Sequence, residues 1–303
     1  MGTPRSLRII ILANTLKKPV CDALEKIRPW LSERARIVAE PDIINFEADA
    51  ISELPEADLA LVLGGDGTIL AQARNLIHLG LPMLGVNFGK IGFLAEFHIE
   101  DLHRYWDIIA AGTCPTSQRL MIEVLVFDAE AADCRVNRLD MDHCRVETLG
   151  MNDAVIAAGT PFRMIELDLA IDPAPTGTSP TRFSGDGVII STPTGSTAHN
   201  LAAGGPIISP GTEVLCITPN CPHGLAFRPI IVSAKSVIAV RVNSANPGSA
   251  LVIDGQTSVK LEVNDQIYVR RYPKQIRLLE NPALNYWKML AKKMHWAIGP
   301  RRV

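Results

Sequence analysis

The first hundred residues alternate between short, wholly apolar segments and segments in which apolar residues recur at helical spacing. The apolar segments cover residues 7–13, 36–40, 57–63 and 81–87. Apolar residues recur at helical spacing in two segments that lie between these, from Pro19 to about Leu31 and from Ile69 to Ile77. Strands that are apolar on both faces are typical of parallel sheets. The alternation therefore predicts a doubly wound α/β domain over residues 1–112.

From residue 113 onward the pattern changes to short apolar segments separated by Pro, Gly, Asn and Asp. These segments cover residues 120–128, 164–172, 187–193, 213–219, 236–242, 250–255 and 265–272. Many short strands with such turns predict a β-rich domain over residues 113–274. Residues 275–303 then form a C-terminal tail with a short amphipathic helix. We expect its apolar anchors to be Trp287, Leu290, Met294 and Trp296.

Composition narrows the classes of function without choosing one. The chain has 303 residues, 47% of them hydrophobic, and a net charge of −2, so no general attraction to nucleic acid or an anionic membrane is expected. Its apolar runs are shorter than the roughly 18 residues of a membrane-spanning helix. The six cysteines lack CxxC spacing, and we expect a cytoplasmic protein with reduced thiols. Cys134, His143 and Cys144 lack a fourth ligand, so no protein-held metal is predicted.

The segment LVLGGDGTIL carries the first chemical signal. An apolar strand ends in the turn Gly64-Gly65-Asp66-Gly67-Thr68, and a helix follows. Such a turn directs backbone N–H groups towards a phosphate. The segment lacks the Lys-Ser/Thr ending of a Walker A loop and the GxGxxG spacing of a dinucleotide dehydrogenase. Asp66 remains open to two interpretations at this point, as the N-cap of the helix, with Thr68 as an alternative cap, or as a functional carboxylate.

Three further segments hold candidate ligand-binding residues. Residues 184–207 contain a second Gly-Asp-Gly, at Asp186, and many small and hydroxyl side chains that allow a ligand to approach the backbone. Asn152-Asp153 precedes an apolar strand, and this pair suits either recognition of a base or ribose or a simple turn into the strand. Asp254-Gly255 is a common hairpin signal.

Together these segments resemble the NAD kinases, which phosphorylate the 2′-hydroxyl of the adenosine ribose of NAD to form NADP. The resemblance rests on residues 64–68, 85–97, 152–153, 184–207, 227–232 and 254–255. Diacylglycerol kinases, sphingosine kinases and phosphofructokinases share the first motif, whereas the run from Thr192 to Ala198 is more specific. The resemblance implies an α/β domain, a β-rich domain and a tail returning to the first domain.

The resemblance also implies a role for each matching residue. Asp66 would lie beside the 2′-hydroxyl, as general base or as the group that orients it, and Phe93 would pack against adenine. Donor phosphates would be held by Gly64, Gly65, Gly67 and Thr68, and Gly67 would also contact NAD. The remaining NAD contacts would come from Asn152, Asp153, Thr194, Thr197, Ala198, His199 and Asp254, with Asp186 reaching the nicotinamide end across a subunit interface. ATP, another nucleoside triphosphate or polyphosphate would be the donor, with Mg²⁺ carried by the nucleotide, and the protein would be a homodimer or homotetramer.

Three residues depart from the family pattern. Asp153 stands where a Glu is common, His199 where a Tyr is usual, and Ser184 where many members have an Arg. Two alternatives remain open beside an NAD kinase: a lipid or sphingoid kinase with the same Gly-Gly-Asp-Gly turn, and a non-catalytic NAD-binding sensor. The small, hydroxyl-rich segment 184–207 suits a nucleotide better than a long acyl chain, and a sensor would not need Asp66.

Overall fold

The protein is described here from a computed structural model. It covers residues 6–41, 43, 53–128, 143–161, 163–173 and 180–294. The chain forms two compact units, of which the first comprises residues 1–118 with 276–303 and the second residues 119–275. Sequence reasoning put these boundaries at residues 112 and 274.

The described elements follow one another in a clear α/β order and then a β-rich order. The first part contains β1 (Arg8–Ala13), α1 (Lys18–Ser32), β2 (Arg36–Ala39), β3 (Leu59–Leu63), α2 (Asp66–Leu76), β4 (Pro82–Val86) and α3 (Ile99–Ala110). The second part contains β5 (Thr116–Phe127), β6 (Cys144–Gly150), β7 (Asp153–Ala157), β8 (Ile165–Ile171), β9 (Thr181–Gly185), β10 (Gly187–Ser191), α4 (His199–Ala202), β11 (Val214–Asn220), β12 (Ile230–Ser233), β13 (Ile238–Ser244), β14 (Ala250–Ile253), β15 (Thr257–Lys260), β16 (Gln266–Leu279) and α5 (Tyr286–Met294).

The first unit is built on a parallel sheet with the strand order β2-β1-β3-β4. The end of β16 pairs in parallel with β4, with Arg277 opposite Pro82. All five residues of β3 are buried, as its apolar sequence predicts. The strand order reverses between β1 and β3, and in doubly wound sheets ligands bind beyond the carboxyl ends of the strands at such a reversal. The turn from Gly64 to Asp66 follows β3 at this edge.

Helices of the first unit cover the sheet through one apolar face each. α1 buries Val20, Leu24 and Ile27, which are the residues that its spacing picks out. α3 buries Leu102 and Trp106, and near its start Asp101 Oδ2 accepts the backbone N–H of the N-cap residue His98 at 3.1 Å. Each fully buried apolar side chain of this kind contributes roughly 1.5–3 kcal/mol to folding. The doubly wound prediction is confirmed.

The second unit contains antiparallel sheets. One has the order β12-β11-β10-β7-β14-β15, and in the other β16, β13, β8 and β9 lie side by side. Inward-facing residues of both sheets share one hydrophobic cluster, including Ile156, Ile190, Leu251, Val240 and Ile267. The β-rich prediction is therefore confirmed, although β6, β9, β12 and β15 were not separately predicted.

The C-terminal helix α5 packs through Leu290, one of its predicted anchors, but not through Trp287. Met289 and Leu290 are buried, whereas Trp287 is 51% exposed, so the prediction of Trp287 as an anchor is wrong. Asn285 caps the helix by accepting the backbone N–H of Trp287 and of Lys288, which fixes where the first turn begins. Trp296 lies outside the described residues. The described part of the chain contains no helix long and apolar enough to cross a membrane.

Candidate active site

Asp66 is the first residue of α2 and does not cap it. The N-cap is Gly65, with extended backbone and no capping side chain, so both the Asp66 and the Thr68 capping hypotheses are wrong. The Asp66 carboxylate turns instead towards the loop that follows β4. Its negative charge at the first helical position also interacts favourably with the helix dipole.

Three consecutive backbone N–H groups hold the Asp66 carboxylate. Phe93 donates to Oδ2 at 2.8 Å. Leu94 and Ala95 both donate to Oδ1, at 3.1 and 3.0 Å. A carboxylate has about four lone-pair sites, two on each oxygen. Oδ1 is therefore saturated by the loop, and one acceptor position remains on Oδ2.

Gly92 lies directly against this carboxylate. A Cβ atom built at Gly92 overlaps both oxygens and the carboxyl carbon of Asp66. Its backbone N–H donates to the carbonyl of Ala95 at 3.2 Å, which closes the turn that carries the three donors. Gly92 lies within the segment 85–97 that carries the family resemblance, but the sequence alone does not indicate a role for it.

The glycine turn offers fewer free N–H groups than its sequence suggests. Gly64 donates its N–H to the carbonyl of Val86 at 2.9 Å, and Thr68 donates to the carbonyl of Gly65 at 2.9 Å. The buried Thr68 side chain occupies the place where a Gly64 side chain would project. A Cβ at Gly65, by contrast, meets no atom within 4 Å. Gly64 thus serves the packing of the turn, and Gly65 is its open position.

Phe93 lies between two residues of α5. Its ring centroid is 6.0 Å from that of Tyr286, and the Lys293 ammonium lies 4.7 Å from the centroid of the Phe93 ring. The residue is half-buried. The backbone of Phe93 therefore contacts Asp66 while its side chain contacts the C-terminal helix.

In the second unit, Asp254 holds the turn that carries Asn152 and Asp153. Its carboxylate accepts the backbone N–H groups of Met151, Asn152 and Asp153, the shortest being 2.7 Å from Asn152. Asp254 has a φ of 51° and is followed by Gly255 at 67°, so the predicted hairpin turn is present. Asp254 is 7% exposed, and its carboxylate is engaged with this turn.

Asp153 and His199 form a pair beside this turn. His199 Nδ1 lies 3.3 Å from each Asp153 oxygen, and Asp153 is 1% exposed while the His199 side chain is 54% exposed. Burial raises the pKa of Asp153 to about 6, against the lowering effect of a charged His199; the nearby Asp254 charge adds to the rise. The buried Asp153 carboxylate, with its raised pKa, therefore lies in contact with an exposed imidazole.

The hydroxyl-rich segment packs closely on the same turn. Gly195 leaves no room for a side chain because its Cα faces the backbone carbonyl of Asn152. Thr192 donates its N–H to that carbonyl at 2.9 Å, and its hydroxyl accepts the N–H of Gly195. Thr194 is 8% exposed, and its hydroxyl has no hydrogen-bond partner among the described residues. Thr197 donates its hydroxyl to the carbonyl of Thr194 at 3.4 Å.

The second-unit candidates otherwise gather at one end of β10. Ser191, the last residue of β10, pairs with Asp153, and Thr194 follows shortly after. His199 and Ala198 lie at the start of α4. Asp186 precedes β10 at its other end, where it hydrogen-bonds to the Cys221 thiol and raises the pKa of that thiol. At about 3.3 Å per residue, the five residues of β10 separate its two ends by roughly 13 Å.

The described residues contain no group of three His, Cys, Asp or Glu side chains placed to hold a metal ion. Cys134 lies outside the described residues.

Ser184 pairs with Glu166 across β8 and β9, and the nearby Arg182 forms an ion pair with Asp168 at 3.0 Å.

Comparison with known proteins matches both parts of the chain to one family. The profile of the ATP-NAD kinase N-terminal domain matches residues 39–114, and that of the ATP-NAD kinase C-terminal domain matches residues 151–281. An NAD kinase of Rhodopirellula baltica is 33% identical over 297 residues, covering 98% of this chain and 89% of the relative. An NAD kinase of Geotalea daltonii is 38% identical over 295 residues, covering 95% and 98%.

Solved structures show the same fold at lower identity. Yeast NADH kinase complexed with NADH superposes with a TM-score of 0.82 at 23% identity, covering 99% of this chain and 90% of that one. An NAD kinase of Archaeoglobus fulgidus in complex with ATP has a TM-score of 0.70 at 22% identity, covering 97% and 100%. With both domain profiles matched and relatives aligned over nearly its full length, the chain belongs to the NAD kinase family, the enzymes that phosphorylate NAD to NADP.

Proposed function

We propose that the protein transfers the γ-phosphoryl group of ATP to the 2′-hydroxyl of the adenosine ribose of NAD, with Asp66 as the residue that faces this hydroxyl. The observation that carries the proposal is the single acceptor position left on Asp66 Oδ2 once three N–H groups have bound the carboxylate. A hydroxyl donating to Oδ2 has its oxygen lone pair turned outward, ready to attack phosphorus.

In the proposed reaction, the two substrates and Asp66 account for the bond formed, the bond broken and the proton released. The 2′-oxygen forms a bond to the γ-phosphorus while the bond from that phosphorus to the β,γ-bridging oxygen breaks, and ADP leaves with the electron pair. The hydroxyl proton passes to Oδ2 of Asp66. A positioned base of this kind contributes roughly 10²- to 10⁴-fold in rate. The loop N–H groups fix the carboxylate before the substrate arrives, which is the positioning that phosphoryl transfer requires of a protein.

We propose that the second unit binds the nucleoside parts of NAD. Asn152 offers its amide to ribose hydroxyls or base, and the buried Asp153 carboxylate supports this surface through its contact with His199. The buried Thr194 hydroxyl lacks a protein partner among the described residues. Thr197, Ala198 and His199 continue the same surface. Asp254 supports this surface indirectly because its carboxylate is engaged with the backbone of the turn.

The donor site is proposed at the turn from Gly64 to Thr68. Gly65 is its open position, and the start of α2 places positive partial charge there. Mg²⁺ neutralises triphosphate charge when it is bound, and we propose that it arrives with the nucleotide. The described residues offer no three-ligand cage, and Oδ1 of Asp66 is saturated by N–H groups.

Asp186 is proposed to act at the nicotinamide end of NAD bound to a second copy of the chain, in a homodimer or homotetramer. Its position roughly 13 Å from the end of β10 that carries Asp153 and Thr194 supports a contact away from the adenosine.

The test is turnover of the purified protein with NAD and a panel of donors: ATP, other nucleoside triphosphates and polyphosphate. We expect a product that an NADP-specific dehydrogenase accepts, with ³¹P–¹H couplings that place the phosphate on the 2′-oxygen. NADH, diacylglycerol and sphingosine serve as alternative acceptors in the same assay. Phosphorylation of a lipid without NADP formation, or binding of NAD without turnover on any donor, would overturn the proposal.

A further inference from the structure

The C-terminal segment, from Asn281 to Lys293, contacts the loop that holds Asp66. Asn281 donates its backbone N–H to Oε2 of Glu96 at 3.1 Å, and its side-chain Nδ2 donates to the backbone carbonyl of Glu96 at 3.1 Å. Its Oδ1 accepts the N–H of Ala283 at 3.0 Å. Asn281 is 2% exposed and Glu96 7% exposed. Both ends of the Asn281 side-chain amide are therefore engaged in a buried contact.

Glu96 directly follows the three residues whose N–H groups bind Asp66. The peptide from Phe93 to Ala95 is thus anchored to Asp66 through its N–H groups and to Asn281 through the next residue. At the other end of the same peptide, the Phe93 ring contacts Tyr286 and Lys293 of α5. The C-terminal segment therefore contacts the peptide 93–96 at both of its ends.

We propose that Asn281 is a positioning residue for phosphoryl transfer, acting on Asp66 through the peptide 93–96, and that Lys293 assists by holding the Phe93 ring. The proposal rests on the proposed catalytic role of Asp66. Asn281 contacts neither substrate in this account. Its effect is to keep three N–H groups aimed at one carboxylate, and therefore to keep Oδ2 aimed at the hydroxyl.

Asn281→Ala removes the side-chain bond to the Glu96 carbonyl and leaves the backbone bond to Glu96 Oε2 in place. We expect kcat to fall about 10- to 100-fold, as misplacing a reacting group by about 1 Å does. The KM for NAD should change by less than about threefold, because the second-unit residues that we propose for NAD binding are untouched. Hydrogen exchange at the amides of Phe93, Leu94 and Ala95 should speed up in the folded variant, while the amides of β1 stay unchanged.

A double-mutant cycle separates this proposal from the role of Asp66. In an Asp66→Asn background, Asn281→Ala should cause less than about a threefold further loss of kcat, because the group it positions is already gone. An equal loss in both backgrounds, or unchanged exchange at the three amides, would overturn the positioning role. Normal kcat in Asp66→Asn alone would instead overturn the proposed function, and the exchange data would still report on the link between Asn281 and the loop.

A surface variant keeps the test valid should Asn281→Ala fail to fold. Lys293 and Lys292 are both exposed, carry the same charge and lie side by side on α5. A cation–π contact at an exposed site corresponds to a factor of about two to five. Lys293→Gln should speed exchange at the Phe93 amide by about that factor, whereas Lys292→Gln should leave it unchanged. Equal effects of the two variants would count against the role of Lys293 and of the helix.

Discussion

Gly92 lies directly against the carboxylate of Asp66, and any side chain at residue 92 would overlap both of its oxygens. The contact joins the loop after β4 to the start of α2, two places that the sequence separates by 26 residues. The close approach gives a physical reason for a glycine outside the Gly-Gly-Asp-Gly motif, beside the proposed catalytic carboxylate.

Gly92→Ala is therefore expected to displace the Asp66 carboxylate while leaving the fold intact. We predict a fall in kcat of about 10²-fold from the displaced reacting group, with little change in the KM for NAD. Steady-state kinetics and a thermal melt measure both effects. Gly89→Ala is the matched control in the same loop, because a Cβ there meets only Asn87 Oδ1, at an ordinary 3.7 Å. Equal kcat values for the two variants would contradict the account.

Gly195→Ala tests the corresponding contact in the second unit. A methyl group at Gly195 meets the backbone carbonyl of Asn152 and must push the Asn152-Asp153 turn away. We predict that the KM for NAD rises at least about tenfold, with a smaller effect on kcat, because this turn is proposed to bind and not to react. Gly211→Ala, where a Cβ meets nothing within 4 Å, is the control. A normal KM in a folded Gly195→Ala variant would show that the turn tolerates displacement.

The Asp153–His199 pair predicts a pH dependence of NAD binding. Since the pKa of Asp153 is about 6, its carboxylate gains a proton as the pH falls through 6, which removes its negative charge beside the proposed NAD site. We expect kcat/KM for NAD to fall below about pH 6 and the profile of Asp153→Asn to be flatter there. A His199→Tyr variant should shift the wild-type profile, because it removes the group in contact with Asp153. Identical profiles for all three proteins would contradict this assignment.

The raised pKa of Asp153 also determines how the stability of the protein changes with pH. Folding raises the pKa of Asp153 above its ordinary 3.8, so the folded state favours the protonated form, and this contribution to stability is lost as the pH rises from about 4 to about 6. Asp153→Asn should therefore gain in melting temperature relative to the wild type on going from pH 5 to pH 8. A constant difference in melting temperature across this range would mean that Asp153 does not carry the shift.

The layout of both units could be read from the sequence because apolar periodicity reports directly on burial. β3 is wholly buried, and α1 buries Val20, Leu24 and Ile27, as their spacing indicates. On α5 the spacing identifies the buried Leu290 correctly but not Trp287, which the packing of the helix leaves exposed. Local pattern cannot show which face the rest of the fold covers.

The site was predicted as a set of residue types but not as a set of contacts. Asp66 stood out because a turn does not need a carboxylate between glycines, yet its partners lie 27 to 29 residues away and are backbone groups without a sequence signature. The sequence marks Asp254 only as a hairpin residue. The hydrogen bond that its carboxylate accepts from the backbone N–H of Asn152 joins residues 102 positions apart in the chain. Contacts of this range follow from the sheet topology.

The most direct test of the central claim is the turnover of Asp66→Asn, measured beside its dissociation constant for NAD. Asparagine keeps the size of the side chain, but it loses the charge and turns one NH₂ group towards the loop N–H donors. The account predicts a loss of kcat of at least about 10²-fold, with NAD affinity within a few-fold of the wild type. A folded Asp66→Asn enzyme with near-normal kcat would contradict it.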